Sequence, residues 1–145
     1  MTTAPTFDSF PARAYDKLRY GDTDRQGHVN NAVFATFFET GRVEMILAAD
    51  SGLLAPGQSF VLARIEIDLV AELLWPGTVE IGSAIGRIGR SSIAIEQALF
   101  QNGRLCARAT SVVVLVDDAT RRSTPFSPEA IARLEALHRH DAAEA

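Results

Sequence analysis

The feature that most constrains the fold is a series of strand-like segments that fills the second half of the chain. Every second residue from Val61 to Leu69 is apolar, which is the period of a β-strand with one buried face. Three more segments with strand-like composition follow, at residues 79–85, 92–101 and 105–116. Asn102-Gly103 separates the last two and is the strongest short signal for a β-hairpin. Four successive strands joined by short turns predict an antiparallel sheet.

A helical pattern precedes these strands, at residues 30–49. Its apolar side chains share one face, which contains Phe34, Phe37, Phe38, Met45 and Ala48. Asn30 is a favourable N-cap residue, and Gly41 on the same face predicts a close approach of the helix backbone to a flat surface. One apolar helix has the width to cover one face of a sheet. The sequence therefore predicts the α+β class, with the antiparallel sheet wrapped around this helix.

The ends of the chain predict little additional structure. Residues 1–12 contain two prolines and are expected to form a loose lead-in. Ser127-Pro128 predicts the start of a short C-terminal helix at residues 127–140, with serine as the cap and proline in the first turn. The 145 residues are close to the roughly 150 that are typical of one domain. We therefore expect a single domain, 1–145.

Composition excludes several classes of function. The net charge of −4 argues against a nucleic-acid binder, which needs a basic face to neutralise phosphates. No apolar run is long enough to span a bilayer, and no secretory leader is visible, so we expect a cytoplasmic protein that does not contact membranes. Cys106 is the only cysteine, which excludes an intramolecular disulfide and a cysteine-based zinc cluster within one chain.

The densest polar cluster, GDTDRQGHVNN at residues 21–31, immediately precedes the predicted helix. A helix start exposes unpaired N–H groups and the positive end of the helix dipole. The carboxylates, the histidine and the two amides beside it would supply a base, a polarising group and an oxyanion site. The alternative is purely structural, with Asp22 and Asp24 forming Asx turns and Asn30 only capping the helix.

Other candidate sites are weaker. The spacing of the aspartates half resembles a calcium loop, but Val33 occupies the position where a bidentate glutamate is required. No G-x-S-x-G motif is present, and His138 and His140 are not expected to bind metal, so we expect neither a metal nor a cofactor. Glu39 and Arg42, three residues apart on the helix, predict a surface ion pair, with a role near the active centre as the alternative. Residues 87–92 fit a solvated turn or a phosphate contact equally well.

The cluster resembles the signature of the 4-hydroxybenzoyl-CoA-thioesterase-like proteins, which are hotdog-fold acyl-CoA thioesterases. The similarity extends from residues 21–31 to 34–39 and, in order and spacing, to 60–68 and 87–92. It covers roughly residues 14–120. The resemblance implies the hotdog fold, a strongly curved antiparallel sheet around one long helix. It also implies a homodimer or homotetramer with active sites at the subunit interface.

The resemblance also implies roles for individual residues. Asp24 matches the catalytic carboxylate, and Asn31 matches the residue whose backbone N–H polarises the thioester carbonyl. His28 is a third catalytic candidate, which would orient the loop or contact substrate. The candidates for substrate binding are Gly27, Asn30, Arg90 and Ser92. Phe34 stands where many members have tyrosine, so any role of that hydroxyl is absent here.

The sequence therefore predicts an acyl-CoA thioesterase that releases a free acid and CoA without a cofactor. Asp24 would act as general base or as nucleophile, and the N-terminus of the 30–49 helix would stabilise the oxyanion. Two alternatives remain open. One is a thioesterase acting on acyl-carrier-protein substrates, and the other is a non-catalytic module that binds acyl thioesters.

Overall fold

One face of a five-stranded antiparallel sheet packs against a single long helix. The computed structural model describes residues 4–48 and 50–140. The elements in chain order are β1 (Ala12–Lys17), α1 (Asn31–Ile46), β2 (Gln58–Leu69), β3 (Thr78–Ile88), β4 (Ser92–Gln101), β5 (Arg104–Asp117) and α2 (Pro128–Glu135). The strand order across the sheet is β1-β3-β4-β5-β2. The predicted α+β class and hotdog arrangement are confirmed.

Helix α1 begins at the predicted cap and ends earlier than predicted. The side chain of Asn30 accepts a hydrogen bond from the Ala32 N–H at 3.0 Å, and the phenylalanines of the apolar face are buried against the sheet. The last helical residue is Ile46, because Leu47 leaves the helical conformation. Ala48 is exposed, so no apolar contact favours a further turn. The predicted end at residue 49 lies outside the described residues.

The segment predicted to be a loose lead-in is instead part of the core. Residues Phe7–Ser9 form a short 3-10 turn, and Phe10 is only 1% exposed. Its ring packs on the outer face of the sheet against Gly82, where a Cβ atom would lie 2.5 Å from the ring. The expectation for residues 1–12 is therefore wrong from Phe7 onward, and residues 1–3 lie outside the described part of the chain.

The C-terminal helix is shorter than the predicted 127–140. Ser127 caps it as expected, with its side chain accepting from the Ala130 N–H, and the helix ends at Glu135. Beyond that point the chain bonds to the sheet and to the N-terminal segment. The Leu137 carbonyl accepts from the Ile85 N–H at 2.7 Å, and the His140 N–H donates to the Ser9 carbonyl at 2.8 Å. These tertiary hydrogen bonds replace further helical turns.

Strand β2 lies at an edge of the sheet and pairs only with β5. Leu62 pairs with Val113 but Arg64 pairs with Val112, so Ala63 forms a bulge. The bulge shifts the alternation by one residue, and the single apolar face predicted from Val61 to Leu69 is interrupted there. Several large apolar residues on and beside this edge strand stay about half exposed, namely Val61, Leu62, Leu69 and Val70.

Candidate active site

The cluster at residues 21–31 folds into a small hairpin-like loop that presents Asp24. Thr23 and Val29 form an antiparallel bridge, and the Asp24 N–H donates to the His28 carbonyl at 3.0 Å. The Gly27 N–H closes a turn back onto the Asp24 carbonyl at 3.0 Å, with Gly27 at φ +90°. A positive φ of this kind favours glycine. The carboxylate of Asp24 accepts the Gln26 N–H at 2.9 Å and is partly exposed.

Asp22 has a different, structural environment. Its side chain is 4% exposed and accepts both the backbone N–H of Arg19 at 2.9 Å and its guanidinium at 3.0 Å. Its carbonyl accepts the Asn30 N–H at 2.9 Å, which connects the loop to the helix start. Asp24 thus forms the Asx turn that the structural alternative predicted, through the Gln26 N–H, whereas Asp22 bonds backward to Arg19 and forms none. Only Asp24 also keeps a carboxylate accessible for chemistry.

The start of α1 leaves one backbone donor unused. The Ala32 N–H is taken by the Asn30 side chain, and the Val33 N–H by the Asn30 carbonyl at 2.9 Å. Within residues 4–48 and 50–140, the Asn31 N–H has no acceptor. This donor lies at the positive end of a helix of 16 residues, which is a favourable position for a developing negative charge.

A pocket of about 220 Å³ opens beside this helix start. Its lining includes His28, Asn31 and Phe34 from the loop and helix, together with Leu69 and Glu72 from the end of β2 and the residues after it. The Nδ1 atom of His28 lies 3.3 Å from the Val29 carbonyl. Sequence reasoning missed Glu72, because an exposed glutamate after a strand carries no signal of its own.

Arg90 and Ser92 lie far from this pocket within one protomer. The Asp24 loop neighbours the start of β3, where the Leu18 N–H donates to the Gly77 carbonyl and the Val29 N–H to the Leu73 carbonyl, each at 2.9 Å. Arg90 follows the other end of β3. Ten steps along that strand span about 33 Å. The structure therefore places His28 and Asn31 on the pocket and keeps Asp24, Gly27 and Asn30 in the adjoining loop and cap, outside the pocket lining. Arg90 and Ser92 lie at the opposite end of the sheet.

A second groove, of about 440 Å³, lies between the C-terminal half of α1 and the start of β2. Glu39 and Arg42 both line it, and the predicted surface ion pair between them is wrong. Arg42 is only 7% exposed, and the ion pairs of the described residues do not include these two side chains. Desolvation lowers the pKa of the Arg42 guanidinium, and the nearby Glu39 charge partly opposes that shift. Helical spacing alone did not reveal that the arginine points inward.

Within residues 4–48 and 50–140, no group of three or more histidine, cysteine, aspartate or glutamate side chains is placed to hold a metal ion. In those same residues, no helix has the length and apolar character needed to cross a membrane.

Comparisons with known proteins agree on one family. The profile of the thioesterase-like superfamily matches residues 18–134. The acyl-CoA thioesterase YbgC of Haemophilus influenzae is 29% identical over 125 residues, which cover 83% of this chain and 89% of that protein.

Solved structures show the same likeness. The PA5185 protein of Pseudomonas aeruginosa has a TM-score of 0.81 at 29% identity, over 93% of this chain and 96% of that one. A Thermus thermophilus thioesterase, crystallised with coenzyme A and zinc, has a TM-score of 0.76 at 32% identity, over 90% and 96% of the two chains.

Proposed function

The chain belongs to the thioesterase-like superfamily, and from that premise we propose that it hydrolyses acyl-CoA thioesters to a free acid and CoA. The observation that carries this proposal is the pairing of two groups in one loop. A partly exposed carboxylate, Asp24, is held on a tight turn. The N–H of Asn31, without an acceptor in the described chain, lies seven residues later at the helix start.

The chemistry assigns each group one task. The thioester carbonyl oxygen binds at the Asn31 N–H, where the helix dipole stabilises the negative charge that develops on attack. As a general base, Asp24 takes a proton from the attacking water and returns it to the departing thiolate. As a nucleophile, the Asp24 carboxylate attacks the thioester carbon, the C–S bond breaks and CoA leaves as the thiolate, and an acyl–Asp24 anhydride remains. Water then hydrolyses the anhydride to the free acid and regenerates Asp24, and the proton released protonates the thiolate. A thiolate is a good leaving group, so neither route needs a strong additional acid.

The remaining residues of the loop support these two groups. Gly27 supplies the left-handed turn that fixes Asp24. Asn30 caps the helix by accepting the Ala32 N–H. His28 lines the pocket at the helix start, where we assign it to orienting the loop or contacting the substrate. Glu72 borders the same pocket and places a second carboxylate near the substrate.

We further propose that the active unit contains two copies of the chain. Strand β2 is 12 residues long and forms an open edge with half-exposed apolar side chains, which favours pairing with another strand. Antiparallel pairing of β2 with β2 of a second copy places the Gln58 end of one strand beside the Leu69 end of the other. The turn that carries Arg90 and Ser92 lies at the Gln58 end of its own protomer.

This pairing explains how distant residues serve one site. Arg90 and Ser92 of one copy come to the same end of the combined sheet as the Asp24 loop of the other copy. Arg90 is exposed, and an arginine fork suits the phosphates of CoA. We therefore assign Arg90 and Ser92 to binding the CoA part of the substrate across the interface, in a homodimer or a dimer of dimers.

The test is thiol release from a panel of short, medium, long and aromatic acyl-CoAs, with wild type and Asp24→Asn measured in parallel. Glu135→Gln, the same loss of one negative charge at an exposed position at the end of α2, is the matched control. We expect hydrolysis by wild type and the control, and a loss of at least about 100-fold in kcat for Asp24→Asn, provided that it melts and sediments like wild type. Wild-type turnover by a folded Asp24→Asn variant would refute the role of Asp24.

The same assay separates the two alternative functions. Saturable binding of acyl-CoA without thiol release by wild type would identify a binding module. Turnover of acyl-carrier-protein thioesters but not of acyl-CoA would identify a carrier-linked substrate.

A further inference from the structure

The groove between α1 and the start of β2 combines an apolar wall with a buried cation. Its volume of about 440 Å³ is bounded by Val43, Ile46, Leu54, Phe60 and Leu62, among others. Walls of this composition suit an alkyl chain or an aromatic ring. The polar exceptions in the lining, Glu39, Arg42 and Ser59, therefore decide which ligands fit.

Arg42 lacks the partner that a buried guanidinium normally has. The residue is 7% exposed, and its Nη1 atom has no hydrogen-bond partner in the described part of the chain. Buried polar atoms are paired in the great majority of cases, and a buried charge without a counter-ion is costly. Arginine stays protonated despite this burial. Arg42 lines the groove, so its positive charge lies in the groove wall, although Nη1 itself is sealed from solvent.

Glu39 offsets this charge only in part, because its carboxylate acts on Arg42 at a distance. Its side chain is exposed, and the ion pairs within residues 4–48 and 50–140 do not join it to Arg42. Water screens a carboxylate in that position. The cation inside the groove thus remains available to a ligand.

A second unpaired polar atom lies near the floor of the groove. Ser111 is completely buried, and its Oγ atom also has no partner in the described chain. It precedes Val113, which lines the groove, by two residues, so both side chains point to the helix-facing side of β5. Ser111 itself is not part of the groove lining, so its hydroxyl lies behind the wall and does not contact a ligand in the groove.

The groove lies in line with the helix start. The pocket at Asn31 is bordered by Leu69 of β2, and the groove by Phe60 and Leu62 of the same strand. Both therefore open between α1 and β2. Arg42 follows Asn31 by 11 positions, which is about 16 Å along the helix axis, and its side chain leans back toward the N-terminus. The two cavities share no lining residue, so an acyl chain whose carbonyl binds at Asn31 has to cross the intervening stretch of β2 to reach the guanidinium.

We propose that this groove is the acyl pocket and that Arg42 makes the enzyme selective for acyl groups that end in a carboxylate. The inference rests on the proposed thioesterase function and names the substrate class of that site. A terminal hydroxyl could accept a hydrogen bond from the guanidinium but would leave its charge uncompensated. A carboxylate supplies both an acceptor and the opposite charge. Pairing of two copies through the backbone edge of β2 leaves the inner face of that strand free to line the groove.

The experiment compares acyl-CoAs matched in length that end either in a methyl group or in a carboxylate. The carboxylate series consists of the hexanedioyl, octanedioyl, dodecanedioyl and hexadecanedioyl monothioesters. At the best length we expect kcat/KM to favour the carboxylate by about 10- to 100-fold, the range of a hydrogen bond to a charged group. Arg42→Met is expected to remove or reverse that preference, and Arg42→Lys to keep part of it. Arg108→Gln, which removes an exposed charge from the outer face of β5, should keep all of it.

A binding arm separates this inference from the proposed function. The dissociation constants of S-alkyl-CoA and S-(carboxyalkyl)-CoA thioethers, which no thioesterase hydrolyses, are measured by calorimetry. A carboxylate preference that depends on Arg42, without hydrolysis of any thioester, would support the pocket and refute the thioesterase.

Two results would overturn the inference while the thioesterase stands. The first is a preference of the wild-type enzyme for the methyl-ended chain at every length. This result is measured on wild type alone and does not depend on whether any variant folds. The second is an unchanged substrate ratio in Arg42→Met together with a weakened dimer, which would assign Arg42 to the subunit contact.

Discussion

Replacement of Gly41 by alanine tests how closely α1 approaches the sheet. A Cβ atom at this position would lie 2.5 Å from Cγ2 of Ile81, 2.8 Å from Nε2 of Gln97 and 2.8 Å from Oγ of Ser83. All three side chains are buried. The Cγ2 of isoleucine is fixed by its β-branch, and the Gln97 amide is held by bonds to the Phe38 carbonyl and to Ser83, both at 2.9 Å.

The expected magnitude follows from three effects. Glycine to alanine in an exposed helix interior stabilises by about 1 kcal/mol. Overpacking a buried contact costs about 1–3 kcal/mol, and displacing the Gln97 amide weakens two hydrogen bonds of about 1 kcal/mol each. We expect Gly41→Ala to lower the free energy of unfolding by about 2–4 kcal/mol. For a chain of this size that corresponds to a fall in Tm of roughly 5–15 °C.

The assay is thermal and urea unfolding at one fixed protein concentration, because association also affects Tm. Thr36→Ala, at an exposed position on the same helix, is the control and should stabilise slightly. The sign of the change in the free energy of unfolding is decisive, because helix propensity alone predicts stabilisation in both variants. A Gly41→Ala protein as stable as wild type would refute the close approach of helix and sheet.

Three further predictions concern the site and the core. Gly27→Ala should lower the free energy of unfolding by about 1–2 kcal/mol through the positive φ alone, because nothing lies within 4 Å of the added Cβ atom. In steady-state assays of thiol release, kcat should fall by a larger factor than KM rises. Asn30→Ala should cost about 1 kcal/mol through the lost cap, whereas Asn30→Asp keeps the accepting oxygen and should unfold at the wild-type urea midpoint; equal losses would contradict the capping role. Burial raises the pKa of the Cys106 thiol, so a thiol reagent should modify it only on unfolding. The free energy of unfolding should fall as pH rises from about 8.5, the value for an unfolded thiol, through the raised folded pKa. Below that range this group should not affect the free energy of unfolding.

Local signals account for what the sequence predicted well. Three features depend on residues that are close together in the chain: the cap at Asn30, the apolar face of α1 and the Asn102-Gly103 turn. They can therefore be predicted without knowing the tertiary structure. The polar loop at residues 21–31 was likewise visible because its residues are contiguous. The resemblance then supplied roles that composition and spacing could not.

The misses all depend on contacts between distant parts of the chain. Phe10 is buried because Gly82 leaves room for its ring. No pattern among the residues near Phe10 in the sequence predicts this contact. The bulge at Ala63 depends on the register with β5. The inward side chain of Arg42 depends on which side of α1 faces β2. The separation of Arg90 from Asp24 follows from the length of β3, which becomes a distance only once the sheet is formed.

The strand order has a consequence for biosynthesis. Strand β1 pairs only with β3, and β2 pairs only with β5, so the first two strands to leave the ribosome have no partner until much later segments follow. The outer face of the sheet closes later still, because the backbone bond between Ser9 and His140 joins residues from both ends of the chain. Pairings this distant in sequence form slowly, because the chain loses the entropy of loop closure before the contacts contribute any stability. The nascent chain therefore carries an unpaired, apolar β2 from the synthesis of that strand until β5 follows, which begins at Arg104.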